Sequence, residues 1–419
     1  MTDPLPVPGA LPTGDRFRIA FLTPEFTTEI QNRGGLGNYL NRMSQALVSE
    51  GHSVEVFTWS DRDGLVDYDG VLVHRVRHPE RDLPFRLSMR AARLMRLGGL
   101  RTPAALVLAA RRMAAAFHAR DAESPFDLVQ SSDFNAVGLF VKPAEYRRHV
   151  VRCSWAADHF MRVDGVYGRR SERMKASLER ASIRRADRAY APSRFVADYY
   201  GRVFGYDVDV VRPPILVEAE VARTVPEGVP PRYLLHFGSL RVRKGTDVLA
   251  EALPLAWRDA PDLEVVMAGG GDEAEIASWR ALWGDRERQV HVIGGLAKPD
   301  LYATLQGAVA TVLPTRADNL PNTVIESLMF NVPVIGSDGA SVDELVRDEV
   351  DGVLVPLGDA QALAEAMVRA WRGDLPRLDV RSHPILATAM SPEHATRGLL
   401  EIGGLVGQRS PATPHTLLS

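Results

Sequence analysis

The stretch Thr311–Leu345, TVLPTRADNLPNTVIESLMFNVPVIGSDGASVDEL, decides how this chain is read. Val309 to Leu313 is a short apolar run of the buried-strand type, Pro314 to Pro321 is a polar loop, and a helix then leads to a second apolar run, Val332 to Gly336. A βαβ unit of this kind places its loop at the carboxyl end of the first strand, where open α/β sheets bind ligands. This loop carries Arg316, Asp318 and Asn322, with Asn319 and Leu320 between them. The N–H groups of Asn322, Thr323 and Val324 are predicted to open the helix unpaired, which suits a phosphate. Glu326 follows about one turn on, within reach of a ribose beside that phosphate. The parts fit a nucleotide that carries a second polar group.

The pattern repeats on either side. Tyr233 to Phe237 is a fresh apolar strand that ends in the basic turn Gly238-Ser239-Leu240-Arg241-Val242-Arg243-Lys244-Gly245. Leu263 to Ala268 is another strand, and the glycines Gly269, Gly270 and Gly271 after it let a nucleotide approach the backbone. Val290 to Gly294 and Val353 to Pro356 complete the set of strands, with a helix from Asp359 to Trp371. Ser391-Pro392-Glu393 reads as the cap and first turn of a last helix, to about Ile402.

The first half has the same grammar. Phe17 to Leu22 is a strand followed by Glu25 and the turn Gly34-Gly35-Leu36-Gly37, then a helix from Tyr39 to Glu50 and the strand Val54 to Trp59. Gly35 and Gly37 would let the backbone come close to a phosphate. Val71 to Val76, Phe126 to Ser131 and His149 to Trp155 read as further strands, and Ser171 to Arg188 as a helix. Arg86 to Arg120 reads as one or two arginine-rich helices without an acidic residue, either a solvated face or a surface for anionic acceptors or the inner membrane leaflet. Val208 to Pro214 reads as a linker strand, stiffened by Pro213-Pro214, with a boundary near residue 215.

Composition limits the alternatives. With 419 residues, 45% apolar and 25% charged, the chain is ordinary globular material for two or three domains. A net charge of -3 argues against a general nucleic-acid binder, and the single Cys153 excludes an intrachain disulfide and a thiolate metal cage. No apolar run is long enough to span a bilayer, which with the lone cysteine suits a cytoplasmic protein. Residues 1–15 and 408–419 read as disordered. Asp61-Arg62-Asp63 is a DxD triplet outside the expected site, and no metal or other cofactor is expected.

An acidic residue, seven intervening residues and Glu, then a small-residue helix and a Pro-Val strand, resembles the retaining GT-B glycosyltransferases, and above all glycosyltransferase family four. The resemblance implies two Rossmann-like domains facing a cleft: 16–214 for the acceptor, 215–375 for the donor, and 376–407 crossing back to the first. It implies that Glu326 binds the donor ribose, that Asp318 holds sugar hydroxyls, and that Lys244 lies on the donor diphosphate, with Gly35, Gly37 and the turns named above lining the donor. Ser239 stands where the family has an arginine, so Arg241 or Arg243 would supply that charge. Ser154 stands where the family has a histidine; Asp158 or His159, with Glu25, would then face the acceptor or sugar. Ser193 matches a serine that caps the next helix. The implied reaction is metal-independent, front-face transfer from a UDP-sugar to an acceptor hydroxyl on a sugar, glycolipid or natural product. An epimerase of the same fold and a non-catalytic nucleotide-sugar binder stay open; a Rossmann dehydrogenase is disfavoured because Gly34-Gly35-Leu36-Gly37 lacks GxGxxG spacing.

Overall fold

Apolar runs become parallel strands here because each is buried on both faces by helices packed above and below. A computed structural model describes residues 16–29, 35–94, 101–154, 157–165, 170–215, 225–375 and 383–407. The chain forms two compact units: one takes the N-terminal part to Ser154, Met174–Tyr190 and the segment from Pro392, and the other takes Trp155–Arg173 and Ala191–Ser391.

In chain order the first elements are β1 (Arg18–Thr23), α1 (Gly35–Ser49), β2 (Ser53–Ser60), β3 (Gly64–Tyr68), β4 (Val71–Arg77), α2 (Leu83–Leu94), α3 (Arg101–Glu123), β5 (Leu128–Ser132) and β6 (Arg148–Arg152). Then come α4 (Ala157–Val163), α5 (Arg170–Ile183), β7 (Arg188–Ala191), α6 (Arg194–Phe204) and β8 (Asp209–Val210). Their sheet has the order β3-β4-β2-β1-β5-β6-β7-β8. β1 pairs in parallel with β2 (Phe21 opposite Val56) and with β5 (Phe21 opposite Gln130), so the strand order reverses at β1 and β5. Ala20, Leu22, Phe57, Trp59 and Val129 turn one face of this sheet onto Leu106, Met113 and Phe117 of α3.

The second set is β9 (Leu234–Phe237), α7 (Thr246–Asp259), β10 (Val265–Ala268), α8 (Glu273–Trp283), β11 (Val290–Val292), α9 (Lys298–Gly307), β12 (Ala310–Leu313), α10 (Asn322–Met329), β13 (Val334–Asp338), β14 (Gly352–Pro356), α11 (Ala360–Arg372) and α12 (Pro392–Ile402). The sheet order is β11-β10-β9-β12-β13-β14, every neighbour pair parallel, and the order reverses between β9 and β12. Alternation sends Leu234, Val265, Val312 and Ile335 to one face, against Leu253, Trp257, Leu363 and Met367. Leu235, Val266, Leu313 and Val334 go to the other, against Leu305, Val324 and Leu328. α12 belongs to the first unit, where the Thr396 hydroxyl donates to the Glu50 carboxylate at 2.7 Å.

Several boundaries differ from the sequence reading. α1 begins at Gly35, so the glycines are its first turn rather than a loop before it. β6 ends at Arg152, not Trp155, and α5 ends at Ile183, leaving Arg188 to open β7. The linker strand shrinks to Asp209–Val210. β3 was not anticipated; it turns back on β4 through Asp69 and Gly70, both at positive φ. Arg86 to Arg120 resolves into α2 and α3, with residues 95–100 outside the described set, as are Gly34, residues 1–15 and 408–419. Among the described residues no helix is long and apolar enough to cross a membrane.

Candidate functional site

Three loops of the second unit leave the carboxyl ends of adjacent strands: Gly238–Gly245 after β9, Gly269–Asp272 after β10 and Pro314–Pro321 after β12. The first and third flank the strand-order reversal, where such sheets take their ligands. Backbone contacts bind the loops together. The Arg243 carbonyl accepts the Arg316 N–H at 2.9 Å and the Thr315 hydroxyl at 3.2 Å. Gly245 has φ +73°, and a Cβ built there would lie 1.8 Å from the Pro314 carbonyl oxygen. Only glycine fits that crossing.

Beneath the loops lies His236 of β9, 1% exposed. Its Nδ1–H donates to the Val312 carbonyl of β12 at 2.7 Å, and its Nε2 accepts the Thr246 hydroxyl at 3.1 Å. Burial pushes its pKa down to about 4, so the ring is neutral and fixed in one tautomer. The Thr246 hydroxyl also accepts the Arg241 N–H at 3.1 Å, which ties the basic turn to the first turn of α7.

On this base the Lys244 ammonium is paired with the Asp318 carboxylate. The other Asp318 oxygen accepts the N–H of Asn319 at 2.9 Å. Arg316 is paired with Asp247, in the first turn of α7, at 2.6 Å. Glu326 lies one turn into α10, half-buried. The residues chosen from sequence as Lys244, Asp318 and Glu326 therefore share one end of one sheet, and two of them touch.

Other expected donor contacts have different surroundings. The Val324 N–H is not open, because it donates to the Pro321 carbonyl at 3.1 Å. The Leu320 side chain is core, packed with Val324 and Leu345, so only its backbone could meet a ligand. A Cβ on Gly269 would fall 1.6 Å from the Gly238 carbonyl oxygen, so the absence of a side chain there allows the contact between two loops. Gly270 is exposed with open space around it. Ser239 and Asn322 are half-buried, and a Cβ on Gly238 would meet the Thr323 methyl at 3.4 Å. The Arg243 guanidinium lies 3.4 Å from Asp164 and over the Phe160 ring, whereas the Arg241 side chain is exposed.

In the first unit Gly37 donates its N–H to the Glu25 carboxylate at 3.2 Å. The protein's own carboxylate thus takes the Gly37 N–H at the start of α1, which corrects the reading of an open phosphate turn at Gly37. Burial raises the pKa of Glu25, and the amides of Gly37 and Leu36 pull it back. Ser154, in the place of the family histidine, is buried; Arg152 donates to its hydroxyl, and its N–H donates to Asp133 at 2.8 Å. His159 is half-buried among the rings of Phe160, Phe195 and Tyr199, and burial lowers its pKa. The Asp158 side chain lies outside the described residues. Asp61 pairs with Arg81 at 2.6 Å and Asp63 accepts the Arg77 N–H at 2.9 Å, so the DxD carboxylates fix a turn.

Sequence reasoning missed Ser341 and Glu344. The buried Ser341 hydroxyl reaches the Asn319 carbonyl at 3.0 Å and the Ser193 hydroxyl at 3.1 Å. Glu344 accepts the N–H groups of Arg194 and Phe195 at the start of α6, and pairs with Arg212 at 2.5 Å. The only sequence signal was their place just after the strand that follows the donor helix.

Residues 231–372 match the glycosyl transferases group 1 family and residues 34–215 the glycosyl transferase 4-like domain. Among curated proteins, the amylovoran biosynthesis glycosyltransferase AmsK of Erwinia amylovora is 31% identical over 34% of this chain and 37% of its own length. The lipopolysaccharide core biosynthesis mannosyltransferase LpsB of Rhizobium meliloti is 26% identical over 53% of this chain and 66% of its own. These matches span between about a third and two thirds of the relatives' lengths. Two solved structures share the fold: a sucrose-phosphate synthase from Thermosynechococcus elongatus (18% identity, TM-score 0.65, covering 93% of this chain and 98% of that one) and HepE of Anabaena with UDP and glucose (16%, 0.64, 92% and 99%). With both halves matched and two parallel α/β sheets of this topology, the chain belongs to the group 1, family-four-like glycosyltransferases of the GT-B fold.

Proposed function

We propose that the protein is a retaining glycosyltransferase that moves a sugar from a UDP-sugar to an acceptor hydroxyl without a metal ion. The observation that carries this reading is the meeting of Lys244 and Asp318 at the strand-order reversal of the second sheet, with Glu326 one turn along α10. In this scheme Glu326 accepts hydrogen bonds from the ribose hydroxyls, Lys244 stabilises the diphosphate, and Asp318 orients the sugar by accepting from its hydroxyls. The bond from the anomeric carbon to the diphosphate oxygen breaks, and a bond to the acceptor oxygen forms on the same face. The acceptor proton passes to a leaving phosphate oxygen, so no separate base is called for. UDP is favoured because HepE, of the same fold, was solved with UDP. A cytoplasmic setting accords with nucleotide-sugar supply, and the acceptor is a sugar, glycolipid or natural product.

A thermal-shift panel of UDP-, GDP-, ADP- and dTDP-sugars, with and without magnesium, tests the reading. A ligand at a hundredfold excess over Kd stabilises the native state by about 2.7 kcal/mol. One nucleotide class should stabilise the wild type equally without metal, and Glu326→Ala should abolish the shift. No shift with any nucleotide-sugar overturns the proposal.

A further inference from the structure

After β13 the chain turns at Gly339–Val342, where the Val342 N–H donates to the Gly339 carbonyl at 3.0 Å. The two central residues, Ala340 and Ser341, have φ of +52° and +66°. A turn with both central residues in the left-handed region favours glycine, asparagine or aspartate, because other side chains are crowded there. Neither Ala340 nor Ser341 is of that kind, and both are buried. Such a conformation persists only where its surroundings enforce it, and places of this sort gather at functional sites.

The surroundings here are the loop that carries Asp318. The Ser341 hydroxyl lies 3.0 Å from the Asn319 carbonyl oxygen, 3.4 Å from that of Asp318 and 3.1 Å from the Ser193 hydroxyl. Carbonyl oxygens bring no proton, so Ser341 must donate to them, and Ser193 can give its own proton to Ser341. Ser193 also accepts the Val196 N–H at 3.2 Å as the cap of α6. Two hydroxyls thus join the donor loop to the start of a helix.

The contact bears on one peptide plane. The Asp318 carbonyl and the Asn319 N–H belong to the same peptide group, and that N–H donates to the Asp318 carboxylate at 2.9 Å. Because the group is planar, a rotation that took the carbonyl from Ser341 would also take the N–H from the carboxylate. Lys244 is the carboxylate's other anchor. Once the lysine turns to a diphosphate, the Asn319 N–H is the anchor that the loop itself supplies.

We propose that Ser341 is a positioning residue, whose hydroxyl fixes the 318–319 peptide so that the Asp318 carboxylate stays aimed at the donor sugar. The inference rests on the glycosyltransferase reading above. Titration calorimetry with UDP, and initial rates of UDP release from UDP-glucose, UDP-galactose and UDP-N-acetylglucosamine with water as the acceptor, test it on four proteins: wild type, Ser341→Ala, Ser341→Gly and Ser193→Ala. Ser341→Gly removes the hydroxyl but relieves the positive φ, so its urea midpoint should lie above that of Ser341→Ala. Both should lose tenfold or more in kcat while their Kd for UDP stays within threefold of wild type, since UDP has no sugar for Asp318 to hold. Ser193→Ala loses a helix cap but leaves the Asn319 carbonyl its donor, so its urea midpoint should fall and its kcat stay within threefold. A kcat for Ser341→Gly within threefold of wild type, or UDP affinity falling in step with rate in both Ser341 variants, would overturn the inference and leave the donor reading standing. A wild type that releases UDP from none of the three donors overturns the UDP-sugar reading, and this inference falls with it.

Discussion

Cutting the Lys244–Asp318 pair from each side separates two accounts of it. The side chains are 22% and 9% exposed. A pair at this depth lies between exposed pairs, worth about 0–1 kcal/mol, and fully buried ones, whose rupture costs about 3–5 kcal/mol. Loss of either partner should therefore cost about 1–3 kcal/mol of stability. If the pair only ties two loops together, Lys244→Ala and Asp318→Asn should loosen the site alike, and nucleotide affinity should fall in both.

If Lys244 is instead the diphosphate's cation, held by Asp318 until the nucleotide binds, the signs split. Lys244→Ala removes a preorganised charge worth about 2.7–4 kcal/mol, a loss of about a hundred- to a thousandfold in turnover. Asp318→Asn keeps the shape but removes a negative charge near the incoming phosphates. Two unit charges about 6 Å apart at an effective dielectric of about 20 repel by about 3 kcal/mol. Solvent around the half-exposed lysine reduces this to about 1–2 kcal/mol, so free UDP should bind Asp318→Asn about 5- to 30-fold tighter. Sugar transfer by that variant should fall, because the hydroxyl acceptor is weakened. Titration calorimetry of UDP against wild type, both single variants and the double, with initial rates alongside, reads all of these quantities. UDP binding to Asp318→Asn as weak as to Lys244→Ala would refute the exchange of partners.

Two further outcomes follow from the scaffold beneath the loops. Gly245→Ala adds a Cβ 1.8 Å from the Pro314 oxygen at φ +73°, so it should lose about 2–4 kcal/mol in urea unfolding and most nucleotide affinity; an unchanged midpoint would count against the packing described. The His236 pKa is about 4 in the folded chain against an ordinary 6.5, a depressed histidine value. Its contribution is complete above pH 6.5 and is lost as the pH falls from 6.5 towards 4, by about 3 kcal/mol in all. His236→Gln should flatten the pH dependence of the urea midpoint across that window, and parallel curves for variant and wild type would contradict the assignment.

The second sheet was legible because strands covered on both faces read as unbroken apolar runs, and Leu234–Phe237 and Val265–Ala268 stand where those runs stood. β3 was not, because an edge strand with exposed Leu65 has little hydrophobic signal; the Asp69-Gly70 turn was its only mark. The start of α1 was misread for a different reason. Gly35 and Gly37 look like a turn until Glu25, twelve residues away, supplies the carboxylate at the helix start. Motif spacing found Lys244, Asp318 and Glu326, yet no local pattern could show that the first two are paired across 74 residues.

The two strand-order reversals show how one architecture gives different chemistry at equivalent places. Both open at the carboxyl ends of parallel strands, and in both a cation pairs with an acid from a different loop. In the first unit Arg75 and Arg81 are bound to Glu29 and Asp61. In the second unit Lys244 meets an acid from a different loop, and that acid has its own proposed ligand group. Arg243, a candidate for the arginine missing at Ser239, lies against Asp164 and Phe160, which leaves Lys244 and the exposed Arg241 as the cations of that turn. In the proposed scheme a diphosphate draws Lys244 away from Asp318 because the sugar hydroxyls then take the lysine's place on the carboxylate. In the first unit the Arg81–Asp61 pair is 48% and 59% exposed, so its carboxylate meets solvent when the arginine leaves. The proposed scheme thus rests on a partly buried ion pair that a charged ligand can open from the lysine side.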